Sequence, residues 1–314
     1  MQPVYSTHAE KGGMKKNGFV SRFLYSQKSA PYVFIAPFVA SISLFFIYPF
    51  VHALVMSFQE VLPGQTRFVG MENYARMLNP TFVTALLNTT VYTFWTLVVL
   101  IPLPLLLAVF LNSKLTRFRN FFKSALFIPA LTSVIVAGVI FRLMFGEMDT
   151  AFANSLLNSL GFESVEWRRN GAAGMFLMVL LASWRWMGVN ILYFLAGLQN
   201  IPKEMFEAAE IDGAGTLQKF WNITLPFLKP ITVYVLTISI IAGFRMFEES
   251  FVFWEINSPG NIGLTVVGYI YKQGFQYNDL GFGSAVGMVV LLIIFMASFI
   301  NLKLTGALEK EDRQ

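Results

Sequence analysis

Six stretches of this chain are each long and apolar enough to cross a lipid bilayer, and they limit its fold more than any other feature. A spanning helix needs about 20 mostly apolar residues. The runs are Tyr32–Phe58, Val83–Leu111, Phe121–Phe145, Ala172–Leu198, Phe227–Trp254 and Phe282–Leu304. The first is expected to be broken by Pro37 and Pro49, and the second carries Pro102 and Pro104. Arg185 interrupts the fourth, and Arg245, Glu248 and Glu249 lie in the second half of the fifth. The sixth is uninterrupted. The expected fold class is an all-α polytopic membrane protein with six transmembrane helices.

Composition agrees. Charged residues make up 13% of the 314, against about a quarter in a soluble domain. The mean hydropathy is +0.59. The absence of cysteine excludes disulfides, zinc–thiolate sites and cysteine nucleophiles. The two histidines, His8 and His52, are far apart in sequence and cannot make a metal site alone. A net charge of +5 by itself would suggest a nucleic-acid partner. The basic residues instead sit beside the apolar runs, which is the membrane pattern, so no nucleic acid is expected.

The first 29 residues are polar and basic, and the first apolar run is too long for a cleaved signal, so it reads as a retained helix. Orientation follows from Lys and Arg in the short loops. The N-terminal tail is basic, and the second loop carries Lys114, Arg117 and Arg119 with no acid. The first loop mixes Glu60, Arg67, Glu72 and Arg76; the third sets Glu147, Asp149, Glu163 and Glu166 against Arg168 and Arg169. Lys303 at the end of the last span, and Lys310 and Arg313 beyond it, agree. Both termini, the second loop and the fourth loop are therefore assigned to the cytoplasm. No Gly-x-x-x-x-Gly-Lys-Ser/Thr loop is present, so any ATP-driven motor must be another polypeptide.

That fourth loop is the most specific segment. Pro202 suits a first helical turn. Lys203 to Asp212 is rich in good helix formers, with Glu204, Glu207 and Glu210 as charge and Ala208 and Ala209 as small contacts. Gly213 is placed to end the helix in a left-handed conformation. Thr216 is a candidate cap for a second short helix through Phe220, closed by Pro226. The segment reads as helix, sharp glycine turn, helix. Its plainer reading is an ordinary connector between two spans.

Charges at bilayer depth face a cavity or a partner. Arg245, Glu248 and Glu249 fall at i, i+3 and i+4, so both acids are expected on Arg245's helical face, with Glu248 or Glu249 paired to it. A structural salt bridge is the plainer reading. The functional one is a polar, aromatic-walled cavity for a hydroxylated solute, with Trp184, Trp186, Phe244 and Phe247 beside the charges.

From about Pro31 onward the chain resembles the MalF-type permease subunits of carbohydrate ABC importers. The residues that carry this are Ile35-Ala-Pro37, Ile47-Tyr-Pro49, Ser57-Phe58, Phe68-Val-Gly70 with Glu72-Asn-Tyr74, Asn88-Thr89, Phe127-Ile-Pro129 and Tyr269-Ile-Tyr271. Most specific are Ala196-Gly-Leu-Gln, Ile201-Pro, Glu207-Ala-Ala209, Asp212-Gly-Ala-Gly215 and Thr224-Leu-Pro226, which match the EAA coupling loop of that family. Within the family the resemblance is to Gram-positive arabino-oligosaccharide permeases, on strings such as Phe244-Arg-Met-Phe-Glu-Glu-Ser250 and Ser183-Trp-Arg-Trp-Met-Gly188. The large extra domain of the maltose subunit has no counterpart, and Asn257-Ser-Pro-Gly260 stands where relatives often carry Gly-Gly-Pro.

The resemblance implies an ABC type I importer fold: a cytoplasmic tail over 1–30, a permease domain over 31–304 with its coupling loop at 199–226, and a cytoplasmic tail over 305–314. It implies a MalG-like second permease, two cytoplasmic ABC ATPases and an extracellular sugar-binding protein. The chain itself would hold no cofactor, with Mg–ATP on the ATPase, and would catalyse nothing. Coupling would fall to Glu207, Ala208, Ala209, Asp212, Gly213 and Gly215. Sugar contacts carry over to Arg185, Trp186, Val189, Ile238, Ile241, Ala242 and Arg245, with Glu248 and Glu249 added by their charge. The competing class is an ion-coupled secondary carrier, which would titrate Glu248 or Glu249 and leave the coupling loop without a role. An intramembrane enzyme lacks a nucleophile partner for His52.

Overall fold

The computed structural model describes residues 30–113, 118–255 and 257–306. The tail over 1–29, Lys114, Arg117, Lys310 and Arg313 lie outside the described residues. The chain divides into two compact units, Met1–Ala53 and Leu54–Gln314.

The first unit carries most of α1 (Pro31–Met56), which runs through both prolines instead of breaking at them. Ser43–Ile47 is wound as a π-helix, with the Tyr48 N–H donating to Ser43 O. The wider turn precedes Pro49, whose missing N–H and bulky ring an ordinary α-turn would not accept.

In the second unit, β1 (Gln59–Leu62) and β2 (Gln65–Phe68) form an antiparallel hairpin that turns at Gly64, φ +78°. Four-residue strands are too short for an alternation signal, so the sequence gives no warning of it. Then come α2 (Glu72–Arg76), α3 (Pro80–Leu100) and α4 (Pro102–Asn112). The expected second helix is thus a 33-residue span with a joint at Ile101. Pro104 has no N–H for the carbonyl of Leu100, four residues back; Asn190 Nδ2 donates to that carbonyl at 2.8 Å instead.

The expected third helix is two, α5 (Arg119–Leu131) and α6 (Val134–Met144), bent by 96° just after Pro129. A short α7 (Phe152–Ser159) follows, held by buried Asn154, whose Oδ1 accepts from Val165 N and Trp167 Nε1. The fourth span is unbroken, α8 (Gly171–Gln199). α9 (Lys203–Ile211) and α10 (Thr216–Lys219) make the elbow. Gly215, not Thr216, is the cap, and Pro226 closes nothing: a π-turn over Phe220–Thr224 precedes it, as one precedes Pro49, and the helical run continues into α11 (Lys229–Phe244). The fifth span stops at Arg245–Phe247 and resumes as α12 (Glu248–Trp254). Last are α13 (Val266–Tyr271) and α14 (Leu280–Leu304).

Among the described residues, five helices are long and apolar enough to cross a membrane, or six spans if the bent pair counts as one. α8 is the central element of the second unit, packed against α3, α4, α5 and α11. One buried cluster joins α8 to α6 and α12 through Leu177, Leu181, Phe141 and Phe253; another joins it to α4 and α11 through Phe194, Ala108 and Val235. Large apolar side chains such as Leu143, Phe295 and Leu304 stay exposed, as expected where the surrounding solvent is lipid.

At Gly188 the α8 backbone meets α5 so closely that a Cβ would land on the Leu126 carbonyl oxygen. Gly188→Ala should therefore force the two helices apart, costing about 1–3 kcal/mol as an overpacking change does. A lower unfolding temperature of the detergent-purified protein is the expected result. An unchanged one would show that α5 yields at no cost.

Candidate functional site

Two polar features stand out, the elbow and a cavity between the spans. α9 ends in two bonds that close its last turn, Gly213 N–H to Glu210 O (3.1 Å) and Ala214 N–H to Ala209 O (2.8 Å). Gly213 has φ +77°, a conformation that strains any residue with a Cβ. Gly215 N–H donates to Gln218 Oε1 at 2.8 Å, and Lys219 Nζ meets Glu210 Oε1 at 2.8 Å, tying the second short helix to the first.

Phe206, Ala209 and Phe220 pack inward against the cluster that holds Leu111, Leu198 and Ile223. Met205, Ile211 and Leu217 point outward, the last two 87% and 70% exposed. Of the six residues matched to coupling positions, Glu207, Ala208, Asp212, Gly213 and Gly215 are exposed and Ala209 is half-buried as part of the anchor.

The cavity has a volume of about 450 Å³, within the range of small-molecule sites. α8 supplies Arg185, Trp186, Val189, Asn190 and Tyr193; α11 supplies Ile238, Ser239 and Ala242; the break in the fifth span supplies Arg245 and Phe247; Glu248 and Glu249 follow. Tyr92, Thr96 and Leu100 of α3 complete the wall. Of the nine path residues expected from the sequence, eight are brought together and Ile241 is not in the lining. Trp184 packs on Phe141 (5.8 Å between ring centroids) and Phe244 is buried in the core, so neither is a wall residue.

The expected pairing with Arg245 is wrong. The break at Arg245–Phe247 destroys the i, i+3, i+4 register on which it rested. Both acids turn to Arg185 of α8: its Nη1 lies 3.4 Å from Glu249 Oε1 and 3.8 Å from Glu248 Oε2. The Arg185 and Glu249 side chains are 11% and 9% exposed, whereas Glu248 opens to the cavity at 62%. Arg185 also lies over the Trp186 ring, 5.5 Å from its centroid. Arg245 is exposed and has no ion pair among the described residues.

Tyr92, Thr96, Asn190, Tyr193 and Ser239 were missed by sequence reading. The signal was there for some: Trp186, Val189, Asn190 and Tyr193 fall at i, i+3, i+4 and i+7, and Tyr92, Thr96 and Leu100 at i, i+4 and i+8. Together the wall offers flat apolar rings alongside hydroxyl, amide and charged groups. That combination suits a neutral, hydroxylated solute, whose C–H faces pack on rings while its hydroxyls bond to side chains. No group of three or more His, Cys, Asp or Glu suited to a metal occurs among the described residues.

The sequence profile described as "Binding-protein-dependent transport system inner membrane component" matches residues 68–305. The arabinooligosaccharides transport system permease protein AraP of Bacillus subtilis (strain 168) is 64% identical over 313 residues, covering 99% of this chain and 100% of AraP. The lactose transport system permease protein LacF of Rhizobium radiobacter is 32% identical, over 86% of this chain and 92% of LacF. A crystal structure of a bacterial ABC transporter involved in alginate import matches the fold with a TM-score of 0.78 at 20% identity, over 88% of this chain and 94% of that one. The chain belongs to the binding-protein-dependent inner-membrane components, the permease subunits of ABC importers.

Removing Arg185 leaves a carboxylate buried without its partner, a loss worth about 3–5 kcal/mol for a buried pair. Arg185→Leu should therefore lower the unfolding temperature strongly, and Arg185→Leu with Glu249→Leu should recover most of it. Arg245→Leu, at an exposed and unpaired position, should stay within about 0.5 kcal/mol of the parent. The reverse ranking in a thermal melt would return the ion pair to Arg245.

Proposed function

We propose that this permease carries an arabino-oligosaccharide across the cytoplasmic membrane and is driven by ATPase subunits docked on its elbow. The observation that carries the reading is the elbow's surface. A rigid helix–glycine–helix corner, seated by Phe206 and Phe220, turns Met205, Ile211 and Leu217 outward beside Glu207 and Asp212. Exposed apolar side chains rimmed by charge in a short loop fit a protein partner better than lipid.

The proposed partners are two cytoplasmic ABC ATPases that hold the Mg–ATP, a MalG-like second permease that completes the pathway, and an extracellular sugar-binding protein. The family's own description supports the last of these. The chain binds no cofactor in this reading and has no catalytic residue. Glu207, Ala208, Asp212, Gly213 and Gly215 form the coupling surface, with Ala209 behind it. Arg185, Trp186, Val189, Ile238, Ala242, Arg245, Glu248 and Glu249 line the sugar path. The substrate class is supported by AraP and by the mixed aromatic and polar wall. The elbow and both termini lie on the cytoplasmic side. Arg119, Lys123, Lys219, Lys229 and Lys303 gather at the elbow ends of their helices, as the positive-inside rule requires.

Glu207→Ala and Gly213→Ala should leave the permease in the membrane. They should cut sugar-stimulated ATP hydrolysis of the assembled importer about tenfold or more, the equivalent of about 1.4 kcal/mol of docking free energy. Normal uptake by the double variant would sink the coupling role. Proteoliposomes holding the two permeases without ATPase should import nothing; ion-driven uptake from them would point to a secondary carrier.

A further inference from the structure

An aromatic line leaves the cavity at Phe247. The Phe247 ring centroid lies 5.4 Å from that of Tyr271, and Tyr271 lies 5.5 Å from Phe275, with planes inclined by 33° and 28°. The first pair is tilted and the second stacked, and Phe251 also packs on Phe247 at 5.2 Å, so the open aromatic surface lies at Tyr271 and Phe275. Tyr271 is 37% exposed and Phe275 65%. Phe275 lies in the π-turn Lys272–Gln276 that continues α13, and its neighbour Gly274 packs against Gly283 in the first turn of α14. α14 runs from there back to the elbow end, so Phe275 stands at the opposite end of the bundle. The line therefore runs from the cavity wall toward the end of the bundle opposite the elbow.

We propose that Tyr271 and Phe275 form an outer saccharide subsite, continuous with the cavity through Phe247, that receives one end of an oligosaccharide as it passes inward. The inference rests on the sugar-import reading. A sugar ring packs its C–H face on an aromatic face without needing a deep pocket, and its hydroxyls stay hydrated or reach the open Glu248 carboxylate beside Phe247. Nearly equal ring spacing makes successive positions similar in energy, so a chain of sugar units advances ring by ring without a deep trap. A longer substrate spans both the subsite and the cavity, whereas the shortest is held by the cavity alone. The subsite therefore favours chain length over sugar identity.

The test uses the assembled importer in proteoliposomes, saturated with sugar-loaded binding protein, and arabino-oligosaccharides of increasing length. Phe275→Leu and Tyr271→Leu keep an apolar side chain but remove the flat face. Each should lower the maximal import rate of the longest substrate roughly three- to tenfold relative to the shortest one imported, the range of one aromatic contact. Phe275→Trp should retain the parent's length preference. The concentration of loaded binding protein giving half-maximal rate should not move. If that concentration rises equally for every length, Phe275 is a protein-docking contact and the subsite is refuted. If the parent imports these sugars and both leucine variants match it at every length, the subsite alone is refuted. A parent that imports no saccharide overturns the sugar reading and the subsite with it.

Discussion

In a lipid-solvated bundle every backbone polar group must find its partner inside the protein, and this constraint explains where several polar side chains sit here. At several places where regular backbone bonding is interrupted, a short polar side chain from another element supplies the missing bond. Asn190 supplies the Leu100 carbonyl above Pro104. Asn88 Nδ2 donates to the carbonyls of Asn261 (2.9 Å) and Leu264 (3.0 Å), and Thr89 Oγ1 accepts from the Val266 N–H, so α3 carries the irregular strand of chain that follows α12. Asn73 does the same for Ser57 and Gln59 at the hairpin. These residues look like scattered polar interruptions in the sequence, but each closes a gap in the backbone ladder. Hydrophobic burial cannot replace them, because lipid solvates an apolar helix face as well as a neighbouring helix does.

The same constraint sets where irregular backbone is allowed. Non-helical chain at membrane depth is tolerated where it lines a cavity or is buried in protein. Two of the three broken spans open beside the cavity: Leu100 and Asn190 flank the Ile101 joint, and Arg245 and Phe247 form the break in the fifth span. The break also accounts for the ion pair. Once α11 has stopped at Phe244, Glu248 and Glu249 begin a new helix whose first turn faces α8, and Arg185 is the charge within reach. A continuous fifth helix would have kept them with Arg245.

The spans were legible in the sequence because each is one long apolar run, and the fourth and sixth come out within two residues of their expected ends. The elbow was legible because its signals are local: helix formers, then a glycine free to take φ +77°. Three features were not. Pro49 and Pro226 read as breaks, but a π-turn placed just before each absorbs the missing N–H, and composition does not announce a π-turn. The 96° bend after Pro129 lies inside an unbroken apolar run. The partner of Glu249 depends on which neighbour packs beside α12, a contact 64 residues away in sequence.

Elbow and cavity are linked by shared packing. Phe206, Ala209 and Phe220 of the elbow sit on the cluster built from Leu195 and Leu198 of α8 and Val235 of α11. One to three helical turns further along, the same two helices present Arg185, Trp186 and Asn190, and Ile238, Ser239 and Ala242, to the cavity. A helix carries a displacement of one end to the other, and close-packed contacts do not absorb it. The packing thus sets the elbow's anchor and two of the cavity walls on the same two helices. α12 is attached differently: it follows a break in the backbone, is held to α8 by Arg185 and its two acids, and packs on α6 through Val252 and Phe253. Its contacts therefore run to α8 and α6, across the break from α11.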